Sequence, residues 1–237
     1  MLNNFVRVVV LTTLFSVGLS GDLFAAPTAD DILKKADDIR NPSKSYRLKV
    51  KVTPSDEPVS EWEVAVKDGD KTLTTATSPE KDKGKKILMI GESMWLFLPK
   101  LKKSIRVSLN QKLTGQAANG DIARMRWAGD YKVKIEKEDG ANWVLFLDSA
   151  KEGLTYYKIR LWVAKKTYRP VKAEYLTKSA KILKRADFSD FRSMAGAKRP
   201  GKTTIKDETS GQTTELEILS QELMDFPDPM FDQNNLK

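Results

Sequence analysis

Glu92-Ser-Met-Trp-Leu-Phe-Leu-Pro-Lys-Leu-Lys-Lys-Ser-Ile-Arg106 is apolar on both faces of a strand and opens directly into a basic turn. Successive side chains of a strand alternate between its faces, so Met94, Leu96 and Leu98 point one way and Trp95 and Phe97 the other. An antiparallel strand with one wet face carries polar residues at every second position. This one does not, so something apolar must meet each side, whether core, lid or ligand.

Outward from this run the alternation of period two continues. Before it and just after it, strands are expected at about 45–53, 59–67, 70–77, 84–91, 93–98 and 103–108, broken by Pro54, Pro58, Asp68-Gly69-Asp70, Ser78-Pro79, Gly91 and Pro99. After an interruption at 109–129 they resume at 130–138, 142–148, 154–164, 170–177, 181–191, 201–208 and 213–222, with tight turns at Asp139-Gly140 and Ser210-Gly211. The pattern predicts a meander of antiparallel hairpins. Ahead of it, residues 28–40 form an amphipathic helix with Thr28 as cap, Asp30 and Asp31 in the first turn, and Ile32, Leu33, Ala36 and Ile39 on one side. The tail from Phe226 to Phe231 holds two prolines and is expected to be extended.

No linker or repeat divides the chain, so residues 26–237 are read as one mainly β domain. A large, curved antiparallel sheet closing partly into a barrel is expected, with an N-terminal helix and a concave face that must be filled. Two sheets packed as a sandwich share the same periodicity. The interruption carries Gly115, Gly120 and Gly129 and no alternation. Asp121 is placed to cap a short helix there, with Ile122, Met125 and Trp127 on one side, which suits a lid across the open end of the barrel.

Residues 1–25 are set apart. Arg7 supplies a basic n-region, Val8 to Leu19 an apolar h-region, and Leu23-Phe24-Ala25 a small-residue exit, so the segment reads as a cleaved secretory signal peptide. The chain has no cysteine, which excludes an acylated N-terminal Cys, disulfides and thiolate metal sites. It has no histidine either, which removes the commonest general base, the Ser-His-Asp system and ordinary zinc or copper sites. No phosphate loop or EF-hand spacing is present, and the carboxylate pairs Asp37-Asp38 and Asp225/Asp228 read as solvated charge. A non-enzymatic protein without metal or cofactor is expected, although carboxylate pairs or a buried lysine could still carry chemistry. Of 41 basic and 32 acidic residues, giving a net charge of +9, many basic ones sit on alternating positions such as Leu48-Lys49-Val50-Lys51-Val52. In an exported chain this is a solvated sheet face suited to anionic headgroups or acidic partners rather than to nucleic acid.

Aromatic and methionine residues are unevenly placed. Trp62, Met89, Met94, Trp95, Phe97, Trp143 and Phe146 are the candidate wall of an apolar cavity, because methionine repacks readily and rings bring large area at low entropy. Ile122, Met125 and Trp127 are the candidate lid, and Lys100, Lys102, Lys103 and Arg106 a basic rim for a headgroup or partner. Trp162 stands among Lys158 and Arg160, opposite Tyr157, Ile159, Leu161 and Val163.

The strand Gly91-Glu-Ser-Met-Trp-Leu-Phe-Leu-Pro99, the segment Leu113-Thr-Gly-Gln-Ala-Ala-Asn-Gly-Asp-Ile-Ala-Arg124, the leading Ala-Asp-Asp-Ile-Leu33 and the closing Asp-Pro-Met-Phe231 together resemble the outer-membrane lipoprotein-sorting protein family of LolA-like periplasmic carriers. The resemblance covers most of residues 26–237. It implies an unclosed antiparallel half-barrel with helices over its mouth and an apolar cavity that shields a lipid or the acyl chains of a lipoprotein between inner and outer membranes. It implies no catalytic residue. The expected partners are the lipid or acylated lipoprotein cargo, an inner-membrane transporter of ABC or RND type, and the membrane surface in passing. This chain is longer and more basic than better-studied carriers, with a Gly-rich middle segment in place of clearly helical lids. A sensor of the same fold that grips a protein partner is the alternative.

Overall fold

The computed structural model describes residues 26–42, 44–114, 116–123 and 126–236. The expected signal peptide and Met125 lie outside the described residues.

Thr28 begins helix α1 (Ala29–Arg40), its hydroxyl accepting from the Asp31 N–H while the Asp31 side chain reaches back to the Thr28 backbone. This capping box, with Asp30 and Asp31 at the positive end of the dipole, fixes the start. At the other end Arg199 donates from Nη1 to the carbonyls of Asp38 (2.6 Å) and Ile39 (3.1 Å), satisfying helix carbonyls that have no partner within the helix. The helix is thereby tied to the sheet across 160 residues of sequence.

The strands follow the expected meander: β1 (Tyr46–Pro54), β2 (Ser60–Lys67), β3 (Lys71–Ser78), β4 (Lys86–Ile90), β5 (Ser93–Leu98) and β6 (Lys103–Val107). A short pair, β7 (Lys112–Thr114) and β8 (Ala117–Ala118), leads into the five-residue helix α2 (Asn119–Ala123). Then come β9 (Tyr131–Asp139), β10 (Asn142–Ser149), β11 (Lys158–Ala164), β12 (Pro170–Leu176), β13 (Ile182–Met194), β14 (Ala197–Asp207) and β15 (Thr213–Leu223). All except β7 and β8 join one antiparallel sheet of thirteen strands in the order β6-β5-β4-β3-β2-β1-β15-β14-β13-β12-β11-β10-β9. A single continuous sheet removes the sandwich.

The topology explains the excursion. The first half of the chain walks from the middle of the sheet to the β6 edge, and the second half walks inward from the β9 edge until β15 pairs with β1. Residues 108–130 must therefore carry the chain from one edge to the other. The two edges do not pair, so the barrel stays open. Register shifts at Lys49/Val50, Glu61/Trp62, Val144/Leu145, Trp162/Val163 and Tyr175/Leu176 supply the local bends that curl so long a sheet.

The concave face carries the main core: Leu48, Val50, Val64, Met89, Met94, Leu145, Leu147, Ile159, Leu161 and Ile205 among others, covered by Ile32, Leu33 and Ala36 of α1. β11 begins four residues later than its alternation predicts. Residues 150–157 form a connection instead, with Leu154 and Tyr156 buried and Tyr157 exposed. Among the described residues no helix is long and apolar enough to cross a membrane.

Candidate functional site

β5 is covered on both sides, as its composition requires, and by two different things. Met94 and Leu96 belong to the concave core. Trp95 and Phe97 face the convex side, in a second cluster with Ala65, Leu73, Leu88 and Ile90, closed by Phe226, Met230, Phe231 and Leu236 of the C-terminal tail. The tail is held there by Lys67, whose ammonium donates to the Phe226 carbonyl at 2.9 Å, and by Lys67 and Lys71 on the Asp228 carboxylate at 3.0 Å. That pairing draws Asp228 below the usual carboxylate range.

On the concave side a cavity of about 70 Å³ lies beneath the excursion. Its floor is aliphatic and aromatic, from Leu48 and Val50 of β1, Ile159 of β11, Phe188 of β13, Ile205 of β14, and Leu216 and Ile218 of β15. Its roof is polar: Arg40 from α1, then Asp121, Arg126, Asp130 and Tyr131 from the excursion and the start of β9, with Tyr156 beside them.

Three buried contacts hold the roof down. Asp37 of α1 accepts hydrogen bonds on Oδ2 from the backbone N–H groups of Trp127 (2.8 Å) and Ala128 (3.0 Å). One turn on, the Arg40 guanidinium lies 3.5 Å from the centre of the Trp127 ring, a cation–π contact in a desolvated place. At the other end of the excursion Asp121 accepts from the Ala118 N–H at 2.8 Å and from the Tyr156 hydroxyl at 3.0 Å, while Tyr156 stacks on Tyr175 at 4.0 Å. Burial pushes both the Asp37 and the Asp121 carboxyls up from the usual range, against the pull of Arg40 on the first and Lys184 on the second. Gln116 adds a further tie, its N–H donating to the Thr214 hydroxyl at 2.7 Å.

The cavity adjoins a groove at the surface. This open groove of about 430 Å³ runs between α1 and the β2–β3 turn, lined by Asp30, Asp37, Asp68, Arg126, Ala128 and Gly129. Arg126 borders both spaces, Trp127 the inner one, and Ala128 and Gly129 the outer one.

The residues expected from sequence are dispersed. Trp62, Met89 and Met94 face the concave side but lie within the core, away from the cavity lining. Trp143 packs at the margin of that core, 5.2 Å from the Tyr168 ring. Trp95 and Phe97 are placed on the opposite face under the tail, and Phe146 has Lys134 over its ring instead of a place in the core cluster. Of the lid residues, Ile122 and Trp127 do border the cavity. Asp121 lies inside α2 rather than ahead of it, reaching back to the Ala118 N–H. Lys100, Lys102, Lys103 and Arg106 stand on the β5–β6 turn and the outer edge strand, not at the cavity mouth.

Asp37 corrects the expectation of solvated charge. It is 7% exposed, whereas its neighbour Asp38 is exposed and pairs with Lys34. The signal was present: Asp37 follows Leu33 by four residues and so falls on the helix's apolar stripe. Trp162, read as standing on a polar face, is buried, with its indole N–H on Asp139 (2.9 Å) and Lys172 over the ring.

Comparison with known proteins matches this arrangement to a family. A family described as an uncharacterized protein matches residues 68–237. No curated protein matches the chain. Among solved structures, a LolA superfamily protein from Nitrosomonas europaea is 34% identical, with a TM-score of 0.82 over 88% of this chain and 99% of its own. A domain described as an outer membrane lipoprotein-sorting protein, from Vibrio parahaemolyticus, superposes with a TM-score of 0.73 at 20% identity, over 88% of this chain and 97% of its own. A DUF1329 family protein from Desulfovibrio piger does so with a TM-score of 0.75 at 19% identity, over 88% and 98%. The extent and identity of the first match, on the unclosed sheet with its roofed concave face, show that the chain belongs to the LolA superfamily.

Proposed function

We propose that the protein is a periplasmic carrier that shields a lipid, or the acyl chains of a lipoprotein, against the concave face of its sheet during transfer between inner and outer membranes. The observation that supports this reading is the roof: an apolar floor is covered by the edge-to-edge connection that includes α2, and the last stretch of that connection, residues 126–129, lies between the cavity and the groove and is tied to α1 through Asp37 and Arg40. At about 70 Å³ the cavity is well below the ~300–1,000 Å³ of ordinary ligand pockets. Cargo therefore enters by displacing this gate, which joins cavity and groove. Each methylene buried contributes ~0.8 kcal/mol, so burial of an acyl chain can offset the hydrogen bonds and ring contacts released as the connection moves. Nothing in this scheme needs a covalent step. An inner-membrane transporter of ABC or RND type is the donor that such a carrier would serve.

The test is direct. Protein isolated from the periplasm is expected to carry a lipid-sized adduct by native mass spectrometry, and delipidated protein to take up a fluorescent fatty acid with a one-to-one limit. Absence of both would overturn the carrier reading.

A further inference from the structure

We propose that the paired turns at residues 79–86 and 99–103 form a docking surface for an anionic bilayer, with Leu101 as the group that enters the headgroup layer. This deepens the carrier reading by naming where the protein meets the membrane. It rests on that reading only for its purpose, not for its evidence.

The two turns share one end of the sheet, because β3–β4 and β5–β6 are alternate connections of one meander. They also touch: a methyl group added at Gly84 would lie 3.5 Å from the Pro99 ring. The second turn is tight and rigid. Pro99 opens a short 3-10 turn, the Lys102 N–H donates to the Pro99 carbonyl at 3.1 Å, and Lys102 adopts φ of 49°. Leu101 is thereby held at the tip, 62% exposed, more than any other large apolar residue described, and Ile105 on the adjoining edge strand is 46% exposed.

The two turns carry Lys81, Lys83, Lys85, Lys86, Lys100, Lys102 and Lys103, with Glu80 and Asp82 as their acids. Glu80 and Asp82 are engaged by Lys83 and Lys85. Lys81, Lys100, Lys102 and Lys103 have no ion pair among the described residues. The charge of these four lysines is thus available to an external anion.

The composition selects a lipid surface over an acidic protein. Protein interfaces are enriched in arginine and aromatic residues and depleted in lysine, whereas the cations of these two turns are all lysine and no aromatic side chain is among them. Lysine stems lie along an apolar layer while their ammonium groups stay at the phosphates, and clustered basic residues beside an apolar anchor are a recurrent means of binding anionic lipid. The surface lies outside the cavity lining, so docking and cargo binding use different residues.

The experiment is co-sedimentation of the full mature chain with vesicles of phosphatidylethanolamine and phosphatidylglycerol at 3:1, and with phosphatidylcholine alone. Binding is expected to the first and not the second, and to be lost in high salt as the charges are screened. Replacing Lys100, Lys102 and Lys103 together by Gln should weaken it ~5-fold per charge, roughly a hundredfold in all, and Leu101→Ser on the order of tenfold. These positions are exposed, so circular dichroism should be unchanged. Equal binding to both vesicles, or wild-type binding by the lysine variant, overturns the proposal. So does loss with the lysine variant but not with Leu101→Ser, since the lysines would then hold the headgroups by charge alone and Leu101 would not enter the layer. Fatty-acid uptake without vesicles, measured on the same variants, should remain at the wild-type level. Failure of that uptake in the wild type would count against the carrier reading and leave the vesicle result to stand by itself.

Discussion

A carboxylate on the buried stripe of a helix is costly unless donors meet it, and at Asp37 the donors are the backbone N–H groups of Trp127 and Ala128. Replacing Asp37 by Ala leaves both N–H groups without an acceptor and should cost about 3 kcal/mol at pH 7. The pH dependence has a definite sign. Burial raises the carboxyl's pKa in the folded chain, so the stability this group adds is fully present below its unfolded-state value and falls as pH rises through the folded-state value. Urea unfolding of wild type and Asp37→Ala should therefore show a wider gap at pH 4 than at pH 7. A gap wider at pH 7 would mean that the pull of Arg40 and the two N–H groups outweighs desolvation. Hydrogen exchange supplies a second reading, since the Trp127 and Ala128 amides should lose protection in the variant ahead of the strands.

At the scale of elements, the C-terminal tail is the cover that β5 demands. Phe226, Phe231 and Leu236 are buried against Ala65, Leu88 and Phe97, and their loss would open Trp95 and Phe97 to water. Burial of each phenylalanine contributes ~1.5–3 kcal/mol. Removing residues 225–237 should lower Tm, redden the tryptophan emission and create a binding site for an apolar dye. If none of these changed, the tail would be a loose strap. The need for this cover was legible in Met94-Trp-Leu-Phe97, because alternation is a local property that a single run displays. The identity of the cover was not, since Phe226 lies some 130 residues further on and periodicity carries no information about which distant segment returns. The same limit explains the cavity. Leu48, Val50, Ile205 and Leu216 line it but read as ordinary inward positions of their strands, whereas the conspicuous Trp95 and Phe146 face away from the concave core.

At the scale of the whole molecule, the carrier reading requires the segment that joins the ends of the unclosed sheet to move against the frame. The frame is continuous through thirteen strands, and the edge-to-edge connection is the piece whose displacement enlarges the interior. That makes the carrier mechanism testable by immobilising one point. Gly120 of α2 lies against Thr155 of the β10–β11 connection, and a Cβ added at Gly120 would stand 3.0 Å from the Thr155 Cβ. A disulfide needs about 3.5–4.5 Å between these atoms, so Gly120→Cys with Thr155→Cys can form one after a small shift, and the chain has no native cysteine to compete. Oxidised, this variant should keep the fold's circular dichroism and lose fatty-acid uptake, and reduction should restore uptake to the level of the unoxidised protein. Uptake that survives oxidation would place the access route away from α2, nearer to Trp127 and the groove beside α1, and would require the gate to open by residues 126–129 alone.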